Sequence, residues 1–311
     1  MNQEHSQRLL GTFGVLVAAV LWGTTGTAAT FAPELGPLAV GAVAMGIGGL
    51  LQALIALRSI IRERTLIAAN RCYLVFGAAA VAIYPLTFYA SMRYAGVAAG
   101  TVISIGSAPL FSALIEYCLD GQKLSKKWMF GAAIGVTGMT LLSLAESGAH
   151  HAGGDKTTLG ICLGLLAGLT YALYSWSARR MMQNGVATRA AMGATFGAGG
   201  LLLMPVLMLT GAPLLASWHN AGVGIYMALV PMFIGYLCYG MGLARVPAST
   251  ATTITLVEPV IAALLAVLLV GERLPPEGWV GIGLIVLCLA VITLRWRKTE
   301  PAPAALPEKL L

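Results

Sequence analysis

Hydroxyl and aromatic residues concentrate near the centres of several long apolar stretches of this sequence. Aromatic rings can hold an apolar group, and hydroxyls can hydrogen bond the polar end of a small molecule. A single serine or threonine in a helix usually bonds its own backbone or packs between helices, but the set as a whole favours a binding cavity. The residues predicted to bind substrate are Trp22, Thr25, Tyr84, Thr87, Ser104, Ser107, Tyr171, Tyr174, Trp176, Tyr236, Tyr239 and Thr255.

Glu258 is the acidic residue expected deepest within an apolar stretch. It follows Pro247 by about 11 residues, and at about 1.5 Å per helical residue this places it near the centre of a roughly 30 Å hydrocarbon core. An ionisable group at that depth is by default a functional candidate. Two roles stay open. Glu258 either carries a proton or attracts a substrate ammonium, or it is a protonated structural group bonded to a neighbouring helix.

Several kinds of catalytic and metal chemistry have no motif here. The sequence has no GxxxxGK(S/T) loop, no HExxH, no GxSxG and no Lys or Arg at the centre of an apolar stretch. The five cysteines form no CxxC pair and are predicted to be small buried hydrophobic residues. His150 and His151 have no further ligand cluster and are predicted to lie in a solvated loop. We therefore predict no cofactor, no metal site and no enzyme activity.

The composition predicts that membrane-spanning helices carry these residues. Of 311 residues, 58% are hydrophobic and 10% are charged, with a mean hydropathy of +0.83, whereas soluble domains contain about 25% charged residues. This balance excludes a disordered chain, a nucleic-acid binder and an ordinary soluble enzyme. Each span must be helical because lipid offers the backbone no hydrogen bonds. Ten spans are predicted, at 11–32, 37–59, 73–94, 96–119, 127–145, 158–181, 188–209, 220–246, 247–269 and 276–296.

The basic residues predict how these spans are oriented. If the N-terminus lies in the cytoplasm, the outside segments contain Arg93, Lys156 and Arg273, and the other 16 of the 19 Lys and Arg residues lie inside. We therefore predict a multi-pass protein of the bacterial inner membrane with both termini in the cytoplasm.

The two halves of the chain resemble each other at an offset of 150 residues. Matched pairs include Ala98 with Ala248, Pro109 with Pro259 and Gly121 with Gly271. Each half then has five spans, and an odd number of spans inverts the second half. The loop 121–127 contains three lysines, whereas its equivalent 271–277 reads Gly-Glu-Arg-Leu-Pro-Pro-Glu, so equivalent loops have opposite charge bias. Inverted repeats are typical of secondary transporters.

The predicted fold class is therefore an all-α integral membrane protein, with ten transmembrane helices arranged as two inverted five-helix repeats around a central cavity. The repeats are placed at 10–145 and 158–296, followed by a cytoplasmic tail at 297–311. The polar residues fall in the first, third, fourth, sixth, eighth and ninth spans, which are three repeat-related pairs. We expect these six helices to line the cavity and the other four to surround them.

Three motifs carry a resemblance to a known family: Leu21-Trp22-Gly23, Phe88-Tyr89-Ala90, and Ser-Ala-Pro-Leu-Phe-Ser-Ala-Leu at 107–114. The second half repeats the third motif as Leu-Val-Glu-Pro-Val-Ile-Ala-Ala-Leu at 256–264. On these motifs the chain resembles the drug/metabolite transporter superfamily, in its ten-helix branch with two EamA domains. Within that branch it is most similar to bacterial exporters of aromatic and other neutral amino acids.

The resemblance has two implications for acidic residues. It implies a structural role for Glu258, because Glu-Pro at this position is a common pattern among members with different substrates. The first-half loop reads Gly121-Gln122-Lys123 where the common pattern is Gly-Glu-Arg. This departure implies that a glutamate there has no essential role in this chain.

Residues and resemblance together predict a secondary transporter that exports small neutral metabolites, above all aromatic and other apolar amino acids, by alternating access. A multidrug or nucleoside-type exporter of the same fold is one alternative, and a membrane enzyme or lipid-handling protein is another. The expected partners are a small-molecule substrate and membrane lipid, without nucleic acid. The chain is expected to function as a monomer.

Overall fold

The computed structural model describes residues 3–95, 97–123, 125–146, 156–270 and 275–293. Within these ranges the regular structure is helical, and no strand occurs. The predicted loop histidines, the motif segment 271–274 and the predicted tail 297–311 lie outside the described residues.

Ten long helical segments, named α1 to α10, occur in the described part of the chain. They are α1 (Gln3–Gly23, continued by Thr25–Thr30), α2 (Pro37–Gly41, Ala42–Ile47 and Gly48–Arg62), α3 (Arg71–Ala95), α4 (Val97–Asp120), α5 (Lys126–Glu146), α6 (Thr157–Gln183), α7 (Thr188–Thr210), α8 (Trp218–Met227, Ala228–Ile234 and Gly235–Leu243), α9 (Ala248–Ile254, Thr255–Val257, Glu258–Leu265 and Ala266–Val270) and α10 (Pro276–Thr293). Two short helices, Arg64–Ala69 and Ala212–Leu215, follow α2 and α7.

Eight of these segments are long and apolar enough to cross a membrane, within the ranges given above. They are α1 to α4 and α6 to α9. The helices at the fifth and tenth predicted spans, α5 and α10, are not among these eight, so the count of ten spans stays a prediction. The two pack closely against each other through Gly138 and Gly281, where an added Cβ would meet the partner's backbone at 2.8 and 2.6 Å.

The surface of the bundle is apolar, as a lipid-facing surface requires. Large side chains that are more than half exposed include Phe13, Val75, Leu114, Leu201 and Val286. The expectation that all five cysteines are buried is wrong, because Cys72, Cys118 and Cys162 are exposed on this surface. A cysteine in an apolar stretch fits the lipid-facing side as well as the core, and sequence does not separate the two positions.

Three helices change their hydrogen-bonding pattern partway along. Ala42–Ile47 of α2 and Ala228–Ile234 of α8 are π-helical, and Thr255–Val257 of α9 is a 3₁₀ turn directly before Glu258. Such segments frequently occur at functional sites because they redirect side chains and carbonyl groups. All three lie beside residues that line the central cavity.

The helices of the two halves pack in related ways. At the offset of the repeat, α3 is equivalent to α8, and α6 is equivalent to α1. Helix α3 packs along α6, and likewise α8 packs along α1. Helix α4 also packs on α6, as α9 packs on α1. Helices α2 and α5 each pack along their own equivalents, α7 and α10.

Most basic side chains that the structure describes gather at one end of the bundle, named here the basic end. It is the end where α2, α4, α6 and α8 finish. Contacts that join these helix ends are Arg180 Nη2 to Asp120 Oδ1 at 2.6 Å, Ala187 N–H to Glu63 Oε2 at 2.8 Å, and Arg245 Nε to Gln7 Oε1 at 2.8 Å. At the opposite end, Asn220 donates to the carbonyl of Pro213 at 3.0 Å.

Candidate functional site: a central aromatic cavity

A narrow cavity lies between α1, α2, α3, α6, α8 and α9. The side chains that line it are largely aromatic and include four tyrosines, and the non-aromatic lining residues with a side-chain oxygen are Thr25 and Glu258; the lining residues are Trp22, Thr25, Gly41, Ala44, Met45, Tyr84, Pro85, Phe88, Tyr89, Tyr171, Met232, Tyr236 and Glu258. The space open to the centre of a water molecule is about 30 Å³, enough for about two waters. A substrate as large as an amino acid therefore requires the cavity to widen.

The aromatic walls form one continuous cluster. Trp22 is central to it, with its ring centroid 4.7 Å from Tyr236 and 5.1 Å from Tyr239. Tyr84 joins this cluster to α3, with centroids 5.5 Å from Tyr171 and 5.6 Å from Phe88. Contacts at these separations favour a fixed arrangement of rings, so the wall is pre-organised.

The indole of Trp22 is held by the π-helical segment of α8. Its Nε1–H donates to the carbonyl of Pro231 at 2.9 Å. The backbone N–H of Gly235 bonds the carbonyl of Val230, five residues earlier, and leaves the Pro231 oxygen for the indole. An added Cβ at Gly235 would lie 2.8 Å from the indole nitrogen, so glycine is needed for this approach.

Glu258 reaches the cavity from the start of the helical segment that follows the 3₁₀ turn. Within the described residues its carboxylate has no hydrogen bond and no ion pair. A structural carboxyl group buried between helices needs a bonding partner, since an unmet polar group there costs free energy. Among the described residues, the structure shows this carboxylate at the cavity lining.

Five predicted binding residues line the cavity: Trp22, Thr25, Tyr84, Tyr171 and Tyr236. Three more lie directly behind them and fix the ring positions. Their hydrogen bonds are Tyr174 Oη with Tyr236 Oη at 2.8 Å, Tyr239 Oη with Ser175 Oγ at 2.9 Å, and Tyr171 Oη to Thr255 Oγ1 at 2.9 Å.

The other four predicted residues do not line the cavity. Thr87 bonds its own helix, at the carbonyls of Ile83 and Tyr84. Trp176 lies towards the basic end, where its Nε1–H donates to Asp120 Oδ2 at 3.0 Å.

Ser104 and Ser107 pack against α6. An added Cβ at Gly168 would lie 2.7 Å from the Ser104 carbonyl and 2.0 Å from Ser107 Oγ. The Ser107 side chain therefore faces α6, and neither serine is among the residues that line the cavity.

Helix α2 takes the place that we expected α4 to occupy. It contributes Gly41, Ala44 and Met45, and the small residues let its π-helical segment approach α3. An added Cβ at Gly41 would lie 2.9 Å from the ring of Tyr89. The expectation that α2 is a bland outer helix is therefore wrong.

Sequence reasoning also missed polar and aromatic residues around the cavity. Phe88 lies one helical turn after Tyr84, and this spacing of four residues was a sufficient signal that both rings share a face. Gln52 is 1% exposed and donates weakly to the Met232 carbonyl at 3.5 Å, while its oxygen has no partner among the described residues. No spacing rule singled out this amide.

The cavity is closed towards the basic end by a stripe of side chains on α6. Its three members are spaced four residues apart, and their bonds run from Tyr171 to Thr255, from Ser175 to Tyr239, and from Arg179 Nη1 to the carbonyls of Leu243 and Val246. From Tyr171 to Arg179 there are eight residue steps, which is about 12 Å along a helix. This closure is two full helical turns thick.

The opposite end has a groove of its own. An apolar groove there offers about 510 Å³ to the centres of water molecules, and its lining includes Thr24, Phe31 and Tyr226. Thr24 Oγ1 and Tyr226 Oη share a hydrogen bond of 2.7 Å. The next residue, Thr25, already lines the central cavity. The groove and the cavity thus lie close together along α1.

Comparisons with known proteins indicate that this chain is a membrane transporter. The chain is 35% identical over 294 residues to the uncharacterized transporter YwfM of Bacillus subtilis (strain 168), covering 94% of this chain and 96% of that one. It is 29% identical over 172 residues to the threonine/homoserine exporter RhtA of Escherichia coli (strain K12), covering 55% of each chain. A solved crystal structure matches with a TM-score of 0.73 at 19% identity, over 90% of this chain and 95% of that one, and shows the fold alone.

The family comparison covers both halves. The model of the EamA-like transporter family matches residues 9–144 and again residues 158–294. Together with the apolar helices, these matches make the chain a multi-pass membrane transporter and not an enzyme. The protein belongs to the EamA-like transporter family.

Proposed function

We propose that this protein exports aromatic and other apolar neutral amino acids by alternating access through the central cavity. The observation that carries the proposal is an aromatic cavity containing one carboxylate, Glu258, with no bonding partner within the described residues. The rings would hold the apolar side chain. Glu258 would pair with the substrate ammonium, and this pairing neutralises both charges in a low-dielectric site.

The substrate carboxylate requires donors on the same cavity. Tyr84 lines it, and its hydroxyl makes no hydrogen bond within the described residues, so it is available to donate. The name of the relative RhtA, a threonine/homoserine exporter, supports an amino-acid substrate. The aromatic wall of the cavity favours side chains more apolar than those of threonine and homoserine.

The arrangement of the transporter follows from the same proposal. The two matched halves would be inverted repeats of five spans, at 10–145 and 158–296. Their packing supports this. When each helix is replaced by its equivalent in the other half, the packed pair α3 and α6 becomes the packed pair α8 and α1, and the pair α2 and α7 remains the same pair. The basic end would face the cytoplasm of an inner membrane, as the charge bias predicts, and the chain would act as a monomer.

A second candidate is export of aromatic cations such as multidrug substrates. The same observation favours it, because aromatic faces and a carboxylate also bind an organic cation. A nucleoside would use the rings but would leave Glu258 without an opposite charge. The two candidates therefore differ in whether the ligand needs a carboxylate as well as a positive charge.

Counterflow in proteoliposomes separates these candidates. Liposomes containing the purified protein are loaded with unlabelled phenylalanine, and uptake of labelled phenylalanine is followed. We expect accumulation above that of protein-free liposomes, inhibited by leucine and phenylalanine more strongly than by a cationic aromatic drug or a nucleoside. Stronger inhibition by the drug would move the assignment to a multidrug exporter, and absence of any exchange would contradict amino-acid export.

A further inference from the structure

Glu116 is a buried carboxylate that joins the two halves at the basic end. It lies in the last turn and a half of α4 and is 2% exposed. Its Oε1 accepts the backbone N–H of Ala248 at 2.7 Å, and its Oε2 accepts the hydroxyl of Ser249. Both partners belong to the first turn of α9, so one side chain ties the end of α4 to the start of α9.

The start of α9 suits an anionic partner. The first N–H groups of a helix have no acceptor within the helix, and the helix dipole favours negative charge there. One turn deeper, Thr252 Oγ1 donates to Ser112 Oγ at 3.2 Å, so a second contact joins the same two helices. The carboxylate therefore stabilises the packing of α4 on α9 at the basic end.

The repeat makes the two ends of the molecule unequal. At the offset of 150 residues, the position equivalent to Glu116 is Ala266, and Ala248 is equivalent to Ala98. An alanine side chain cannot accept a hydrogen bond, so the sequence repeats the helix but not the carboxylate. If the two closures were equivalent, the cavity would open equally often at either end. Of these two equivalent positions, only the one at the basic end, Glu116, has a carboxylate.

We propose that Glu116 is a positioning residue that holds the basic end closed and so sets how often the cavity opens towards it. The proposal rests on the proposed alternating access, since it concerns which of two closures opens. The bonds of Glu116 join α4 to α9 at the same end at which the stripe on α6 joins α6 to α8 and α9. Loss of the Glu116 bonds shifts the population towards the state open at the basic end.

The conservative variant separates geometry from charge. In Glu116→Gln, the amide oxygen can still accept the Ala248 N–H, and the amide nitrogen can donate to Ser249 Oγ. In Glu116→Ala both bonds are lost, and Ser249→Ala removes one of the two. Glu277→Ala is the matched control, because Glu277 is an exposed glutamate at the start of α10, near the opposite end.

The test measures access to the cavity directly. A reporter cysteine replaces Ala44, which lines the cavity, in a protein without the native cysteines. An impermeant thiol reagent is applied to right-side-out and inside-out vesicles, so that each end is probed separately. Relative to the otherwise unchanged reporter protein, we expect Glu116→Ala to label at least about fivefold faster from the basic end, Ser249→Ala to show a smaller increase, and Glu116→Gln and Glu277→Ala to stay within about twofold.

An unchanged labelling rate from the basic end in folded Glu116→Ala would overturn the proposal. If that variant does not fold, Ser249→Ala decides: a faster rate from the basic end supports the proposal, and an unchanged rate overturns it. Labelling needs no substrate, so it stands apart from the transport assay. If the labelling rates change as expected but no amino-acid counterflow occurs, only the substrate assignment is contradicted. If counterflow occurs but the labelling rates do not change, only the role of Glu116 is contradicted.

Discussion

Tyr84 tests the aromatic wall with little disturbance to packing, because its side chain is only partly buried and its ring faces the cavity. Replacing it with leucine keeps an apolar group but removes the ring contacts to Phe88 and Tyr171. An aromatic contact contributes about 0.5–1.5 kcal/mol beyond its area. We therefore expect Tyr84→Leu to raise the half-saturation concentration for phenylalanine about two- to tenfold.

Tyr117→Leu is the control for this change. Tyr117 lies on α4 and is 57% exposed on the apolar outer surface, away from the cavity. Its replacement is expected to leave the kinetics of phenylalanine counterflow unchanged. Equal effects of the two variants would contradict the placement of Tyr84 at the binding site.

Glu258→Gln tests the charge in the cavity. Glutamine retains size and hydrogen bonding but cannot pair with an ammonium as a carboxylate does. A hydrogen bond to a charged group contributes about 1 kcal/mol or more beyond a neutral one, so the half-saturation concentration should rise at least about fivefold. Wild-type kinetics with unchanged pH dependence in proteoliposomes would remove both the ammonium-pairing and the proton-carrying roles.

The sequence indicated the types of residue in the cavity better than their orientation. Trp22, Thr25, Tyr84, Tyr171 and Tyr236 were singled out as polar or aromatic residues near span centres, and all line the cavity. A mid-span position fixes depth along a helix, but the direction in which a side chain points depends on which neighbour packs on each face. That information lies in the tertiary structure.

Ser107 and Gly41 illustrate this limit. The contact between α4 and Gly168 turns Ser107 away from the cavity. Gly41 carries no chemical signal at all, and it lines the cavity because α2 approaches α3 closely at this point.

Close packing between helices α2 and α7 depends on small residues at their contact. An added Cβ at Gly49 would lie 2.2 Å from the Phe196 carbonyl oxygen, so Gly49→Ala forces the helices apart. Overpacking of this kind costs about 1–3 kcal/mol. We expect a lower midpoint of thermal unfolding in detergent than for the unaltered protein.

Gly283→Ala provides the comparison on α10. Among the described residues, no heavy atom beyond the neighbouring backbone of its own helix lies within 4 Å of a Cβ added there, so the same chemical change meets open space. Its unfolding midpoint should equal or slightly exceed that of the unaltered protein, since alanine favours helix over glycine. A similar loss of stability in both variants would contradict a specific contact between α2 and α7.

Apolar stretches predicted the helices well, since each predicted span overlaps a long helical segment among the described residues. The π-helical segments of α2 and α8 were not predictable in the same way. Pro231 marks the one in α8, whereas Ala42–Ile47 contains no proline and is set by contacts with other helices.

The orientation of the whole molecule follows from its charges and is tested by labelling in intact cells. Cysteines are placed singly at Gln122, exposed near the basic end, and at Ala216, exposed at the opposite end. With the native cysteines removed, an impermeant thiol reagent is expected to label Ala216→Cys and to label Gln122→Cys only after the cells are opened. The reverse pattern would place the basic end outside.

Family membership and the helical membrane fold could be predicted from the sequence because composition and repeated motifs extend over the whole chain. The sequence predicts ten spans, whereas eight helices among the described residues satisfy both length and apolarity. Substrate choice depends on a few cavity side chains and on how far the cavity widens, and neither is encoded in composition.

The most direct test of the whole account is whether the ammonium of the substrate is required. Phenylalanine and N-acetylphenylalanine share the ring and the carboxylate, but only phenylalanine has an ammonium to pair with Glu258. In counterflow of labelled phenylalanine, we expect unlabelled phenylalanine to inhibit at least about tenfold more strongly than N-acetylphenylalanine, a difference of about 1.4 kcal/mol or more. Equal inhibition by the two compounds would contradict the account.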